Sequence, residues 1–198
     1  MRHHTFATQI IAMSQADLAL RDQLLQKSEL NEGYHPKMEE MHLQHANKLN
    51  DIIDEIGYPT IDKVGREANE AAWLIIQHAI SHPDFMKKSL AMLEIAVKAE
   101  QADPIQLAYL SDRIAVFSDQ PQRYGTQFDW DENGELSPQA YDDLTKVNHR
   151  RKAIGWNTLE EQTELIRQRT KQENQSPPAD FAQRKMDYHQ WRKKVGWI

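Results

Sequence analysis

The segment Ala71-Ala72-Trp73-Leu74-Ile75-Ile76-Gln77-His78-Ala79-Ile80 is the most apolar in the chain. Wound as a helix, it shows apolar side chains on nearly every side, and such a helix is covered by neighbours rather than laid on a surface. It therefore predicts further helices packed around it. Its two polar residues, Gln77 and His78, each cost about 1–3 kcal/mol if buried without hydrogen-bond partners. Residues kept there are either struts of the core or parts of a site.

Working outward, helical periodicity dominates in both directions. A first helix is expected over 6–27, with Ile10, Ala16, Leu20 and Leu24 near its inner face. The run Asn31-Glu32-Gly33-Tyr34-His35-Pro36 breaks it. A second helix fits 37–56, with Met41, Ala46, Leu49, Ile52, Ile53 and Ile56 as apolar positions, and Gly57 and Pro59 stop it. The helix carrying Gln77 and His78 covers 66–81. Pro83 opens a fourth helix that ends near Ala99, with Phe85, Leu90, Leu93 and Val97 inward, and Asp103-Pro104 opens a fifth that ends near Val116. Short loops between helices imply antiparallel neighbours.

Beyond this point the texture changes. Asp131-Glu132-Asn133-Gly134, following a stretch rich in aromatics and amides, signals a hairpin. Helices follow over 142–154, over 158–171, where Thr158-Leu159-Glu160-Glu161 forms a capping box, and over 179–194 after the break at Ser176-Pro177-Pro178. The expected fold class is mainly α: a single-domain helical bundle with a small β-hairpin or structured loop near residues 122–140. Its parts are an N-terminal helix (1–36), a helical core with a polar loop (37–171) and a basic C-terminal helix (172–198) packing on that core.

Composition narrows the function. The 198 residues suit one domain with a real core. A net charge of -6 argues against nucleic acid as a partner, because phosphate binding needs a basic field. The chain has no cysteine, which excludes disulfides, thiolate metal sites and cysteine nucleophiles. No apolar run approaches the ~18–20 residues of a membrane span, so no membrane partner is expected. The N-terminus reads as a helix start rather than a signal peptide. A cytoplasmic protein is the expectation.

Four constellations carry candidate chemistry. The His78 imidazole both donates and accepts, and an ordinary pKa near ~6.5 suits proton transfer; the plainer reading is a core histidine tied to a carbonyl or carboxylate. Asp112-Arg113 lies in a second largely apolar helix, where buried charges require pairing; Arg113 offers a rigid fork for an anion, or an internal salt bridge. In Gln122-Arg123-Tyr124-Gly125-Thr126-Gln127, amides, a phenol and a hydroxyl surround a glycine, which suits either a polar recognition loop or a turn that satisfies itself. Of the adjacent Arg150 and Arg151, about 100° apart on a helix, only one can point inward. Metal spacing exists at His78/His82 and at His42/His45, but no His-Glu-x-x-His pattern is present, and His82 precedes Pro83. No phosphate-binding loop, dinucleotide turn or nucleophile elbow is present. No metal and no cofactor are expected.

Taken in order, Ala72-Trp73-Leu74, Gln77-His78-Ala79, Leu110-x-Asp112-Arg113, Pro121-Gln122-x-Tyr124-Gly125-Thr126-Gln127 and Arg150-Arg151-x-x-x-Gly155 resemble a bacterial family of uncharacterised proteins, a domain of unknown function. Gly57-Tyr58-Pro59 and Val64-Gly65 extend the likeness. It covers roughly residues 38–165, so the stretch before Met38 and the tail after Lys171 look like additions. The resemblance implies that His78, Asp112, Arg113 and the 122–127 loop form one unit, and it places His82 outside the motif.

The leading expectation is a polar pocket binding, and acting on, a small polar or anionic molecule. In it His78 is the acid/base group, Arg113 holds an anionic group, and Asp112 orients His78 or Arg113. Gln77, Gln122, Tyr124 and Gln127 position the ligand. Two alternatives stay open: a non-catalytic structural or protein-interaction module, with a protein partner or a homo-oligomer, and a His/carboxylate metal-binding helical protein.

Overall fold

A computed structural model describes residues 2–30 and 33–198. The break anticipated at 31–36 falls partly on residues 31 and 32, outside the described residues. The chain is mainly α, with one small antiparallel sheet among the described residues. It falls into two compact units, Met1–Gln106 and Leu107–Ile198.

The first unit holds α1 (His4–Gln26), α2 (Pro36–Ile56), the single-turn α3 (Ile61–Val64), α4 (Arg66–His78) and α5 (Pro83–Lys98). At its centre is α4, packed chiefly on α1, with α2 against both. Ala68, Ala71, Ala72, Ile75 and Ile76 are buried there. Burying an isoleucine contributes about 1.5–3 kcal/mol, and the alanines let neighbouring backbones approach. Trp73 and Leu74 are only half-buried. The helix ends at His78, three residues before the expected Ser81. The chain must turn before Pro83, and His82 leaves helical geometry to cap α5, its Nδ1 accepting from the Phe85 N–H.

Two inner faces differ from the sequence reading in phase. On α1 the buried positions include Ile10, Met13, Ser14, Asp17 and Leu24, while Ala16 is exposed. On α2, Ala46, Leu49, Ile52 and Ile53 point inward as expected, but His42 and His45 share that face and Met41 does not. In both helices, polar residues take inward positions that apolarity alone assigned to neighbours.

The second unit begins within α6 (Pro104–Phe117) and continues with β1 (Phe128–Trp130), β2 (Leu136–Pro138), α7 (Leu144–Ala153), α8 (Leu159–Gln172) and α9 (Phe181–Val195). The strands pair antiparallel, Phe128 with Pro138 and Trp130 with Leu136. Asp131 closes the hairpin by accepting from the backbone N–H of Asn133 and Glu135 and from the Ser137 hydroxyl. Arg167 of α8 holds the hairpin through the Leu136 carbonyl, Ser137 and Glu135. The Thr158/Glu161 capping box opens α8 as read. The basic α9 packs Tyr188 and Trp191 on Phe117, with ring centroids 6.3 and 5.5 Å away, and Trp197 joins at 5.0 Å. Its buried Arg192 pairs with Asp119.

Candidate functional site

In the first unit the imidazole of His78 meets a carboxylate that the sequence reading had not singled out. His78 Nδ1 lies 2.5 Å from Asp17 Oδ2, and His42 Nε2 lies 3.0 Å from the other oxygen, Oδ1. Three helices supply the trio: α1 gives Asp17, α2 gives His42 and the last residue of α4 gives His78. Tyr34, just before α2, places its hydroxyl 2.5 Å from His42 Nδ1 and 3.3 Å from the His78 carbonyl oxygen. The His42 and His78 rings are 5.0 Å apart.

The hydrogen positions follow from these distances. The Asp17 carboxylate only accepts, so His42 donates to it from Nε2, while the Tyr34 hydroxyl, which also donates to the His78 carbonyl, meets His42 at Nδ1. His78 donates from Nδ1 to the same carboxylate, which leaves Nε2 as the ring nitrogen that Asp17 does not engage. That nitrogen makes no hydrogen bond among the described residues, and 26% of the His78 side chain is exposed.

Charge in the cluster is one-sided. Burial alone would push the Asp17 carboxyl up, but hydrogen bonds from His42 and His78 and their proximity outweigh it, and Asp17 is held well below the usual carboxylate range. The Tyr34 phenol is pushed far up by burial, with the charges of Glu39 and Asp17 adding to it, so it stays a neutral donor. Burial lowers the pKa of His45, one turn along α2, and its Nδ1 is buried without a hydrogen-bond partner among the described residues.

The other singled-out residues lie in the second unit, apart from Gln77, which is buried on α4. Asp112 is fully buried on α6 and accepts from the backbone N–H of Arg123, Tyr124 and Thr126 at 2.7–3.2 Å. It therefore anchors the loop, and the carboxylate on His78 is Asp17. Burial raises the Asp112 pKa, with the three N–H groups acting the other way. Gln122, also fully buried, donates to the carbonyls of Gln127 and Gln139 and accepts from the Gln127 N–H. Gln127 donates to the Thr126 hydroxyl, and the Tyr124 carbonyl accepts from Arg151. Arg151 is the inward member of its pair, 2% exposed, with Nε and Nη2 donating to Asn157 and its guanidinium over Trp156. Arg150 pairs with Asp142. Arg113 is half-buried, and burial lowers its pKa from the ordinary guanidinium value. Gly125 sits at φ +68°, and a Cβ there would lie 2.6 Å from a Leu159 methyl. Only glycine lets the loop press this closely on α8.

Sequence reasoning missed Asp17, His42 as its partner, and Tyr34. A signal existed in the spacing Ile10, Ser14, Asp17, Leu24, which runs along one helix face and puts the carboxylate on it. His42, Ala46 and Leu49 make the same kind of row on α2.

The chain belongs to the family of unknown function DUF6624, whose model matches residues 5–172. The match takes in α1 and Asp17, which the sequence reading had placed outside the family-like region. No curated protein and no solved structure matches the chain. No helix among the described residues is long and apolar enough to cross a membrane.

Proposed function

We propose that the first unit carries an acid/base site in which His78 Nε2 exchanges a proton with a small polar or anionic molecule while Asp17 orients the ring. The supporting observation is the contact between His78 Nδ1 and Asp17 Oδ2 at 2.5 Å. A carboxylate on one imidazole nitrogen fixes the tautomer, presents the lone pair of the other outward and stabilises the ring when it takes up a proton. His42 and Tyr34 hold the far side of the carboxylate and act as positioning residues. Two features favour a site over a strut: the ring sits at a helix end, and it is partly open to solvent.

For the 122–127 loop a structural role is favoured, because the polar atoms of Asp112 and Gln122 are taken up within the loop itself. Those two residues receive no ligand role in this proposal.

Diethyl pyrocarbonate, which acylates an unprotonated imidazole nitrogen, tests the proposal, with each histidine followed by mass spectrometry. His78 is expected to react well ahead of His42 and His45, and Asp17→Asn to slow His78 several-fold. Equal rates for His78 and His42 in the wild-type protein, or an unchanged rate in a folded Asp17→Asn variant, would sink the proposal.

A further inference from the structure

We infer that Asp17, His42 and His78 also form a binding site for a divalent transition-metal ion of the zinc class, and that the ion turns off the outward lone pair of His78. The inference rests on the acid/base reading for the second statement only; the binding site stands on its own geometry.

One carboxylate oxygen and one nitrogen from each of two imidazoles lie within 4.8 Å of one another. Zinc bonds of about 2.0–2.1 Å to nitrogen and oxygen place tetrahedral ligand atoms about 3.3 Å apart. The hydrogen-bonded separations, 2.5 and 3.0 Å, already bring both imidazoles to the carboxylate within roughly that spacing. Two imidazoles with one carboxylate suit zinc, cobalt, nickel or copper, whereas calcium and magnesium prefer oxygen throughout. Three protein ligands leave a position open, and His78 is the ligand that reaches solvent.

Tyr34 supplies an outer partner for the metal-binding form of His42, its hydroxyl oxygen lying 2.5 Å from Nδ1. For the ion to enter, the hydrogens on His42 Nε2 and His78 Nδ1 must leave the cluster. His42 can carry its hydrogen on Nδ1 instead, donating to the Tyr34 oxygen. The phenol hydrogen goes to the His78 carbonyl oxygen, 3.3 Å away. His78 carries its hydrogen on Nε2, facing solvent. In that arrangement each ring carries its hydrogen on the nitrogen away from the carboxylate. A hydrogen-bond partner on the outer nitrogen of a metal-binding histidine is the usual means of fixing that ring, and Tyr34 already occupies the place. The same tautomer change puts a hydrogen on His78 Nε2, so the metal-bound form has no lone pair there to act as a base.

Isothermal titration of Zn²⁺ into chelator-treated full-length protein tests the site. The expected result is one saturable equivalent, weakened more than about 100-fold by His42→Ala and by His78→Ala, beyond what loss of an outer partner costs. His82→Ala, whose Nδ1 caps α5, should bind as the wild type does. Co²⁺ loaded into the wild-type protein should show the visible absorption of a tetrahedral site, a readout that needs no variant. Zn²⁺ should also protect His78 from diethyl pyrocarbonate. Binding that survives His78→Ala but disappears in a His3→Ala/His4→Ala variant would assign the ion to the N-terminal histidines and overturn the inference, as would no saturable binding to the wild-type protein. Failure of binding with His78 still reactive leaves the acid/base reading standing. Binding with His78 unreactive even without metal reverses that outcome.

Discussion

The buried polar network around Asp17 in the first unit and that around Asp112 in the second are finished differently. In the second unit, Asp112 and Gln122 spend their oxygens and amide hydrogens on the backbone of residues 122–127 and on Gln139, and Arg151 closes the loop from α7. In the first unit, Asp17 is equally enclosed, yet the chain of contacts that starts at Tyr34 ends on the partly exposed ring of His78. A network closed on backbone holds a shape. One that ends on a partly exposed imidazole is the network to which the acid/base proposal applies. Burial of polar groups does not separate the two cases; the fate of the last atom does.

The largest expected effect falls on the closed network. Asp112→Ala leaves three loop N–H groups without their acceptor, and each costs about 1–3 kcal/mol. A loss of about 3 kcal/mol or more in urea unfolding is expected, with Asp112→Asn costing less because one oxygen remains. A cost below about 1 kcal/mol would show that the loop does not depend on Asp112. Gly125→Ala comes next. Its φ of +68° disfavours alanine, and the new Cβ would press on Leu159. About 2 kcal/mol is expected. A double-mutant cycle with Leu159→Ala should recover part of it, and strictly additive losses would place the strain in the backbone alone.

These differences also explain what the sequence could and could not show. Helices, hairpin and capping box were legible because local rules set them: Gly57 with Pro59, Asp103-Pro104, Asn133-Gly134 and Thr158-x-x-Glu161. The inner face of the Gln77-His78 helix was legible from its apolar residues, but Trp73 and Leu74 stay half-buried and Arg66, Glu67 and Glu70 form an exposed face. Asp17 was not. A carboxylate on an inner helix face looks like a phase error until two imidazoles, 25 and 61 residues away in sequence, are seen to hold it. Asp112 failed in the opposite sense. The sequence marked it as a buried charge needing a partner, and an arginine stood beside it, but backbone N–H groups satisfied it instead. Partner choice over long range is settled by tertiary packing, and a single helix face does not encode it.

A smaller effect is expected from His78→Ala. The ring is partly exposed, and Asp17 keeps His42, so a stability loss of about 1 kcal/mol is expected, well below that of Asp112→Ala. The reverse order of the two variants, measured in the same urea titration, would break the contrast between a working end and a structural clasp.

The smallest effect concerns the hairpin next to the closed loop. The hydrogen bond from Ser137, then that from the Glu135 N–H, holds the Asp131 carboxyl below its ordinary value of 3.8. A carboxylate whose pKa is lower in the folded chain contributes stability that is present above that ordinary value and is lost as pH falls through the folded one. Acidification from pH near ~5 to pH near ~3 should therefore destabilise the wild-type protein slightly more than Asp131→Asn, which has no such group to protonate. Urea midpoints of both proteins at the two pH values measure the difference. Parallel losses would mean that Asp131 closes the turn without coupling its protonation to the fold, and the hairpin would then rest on Arg167 and the strand pairing instead.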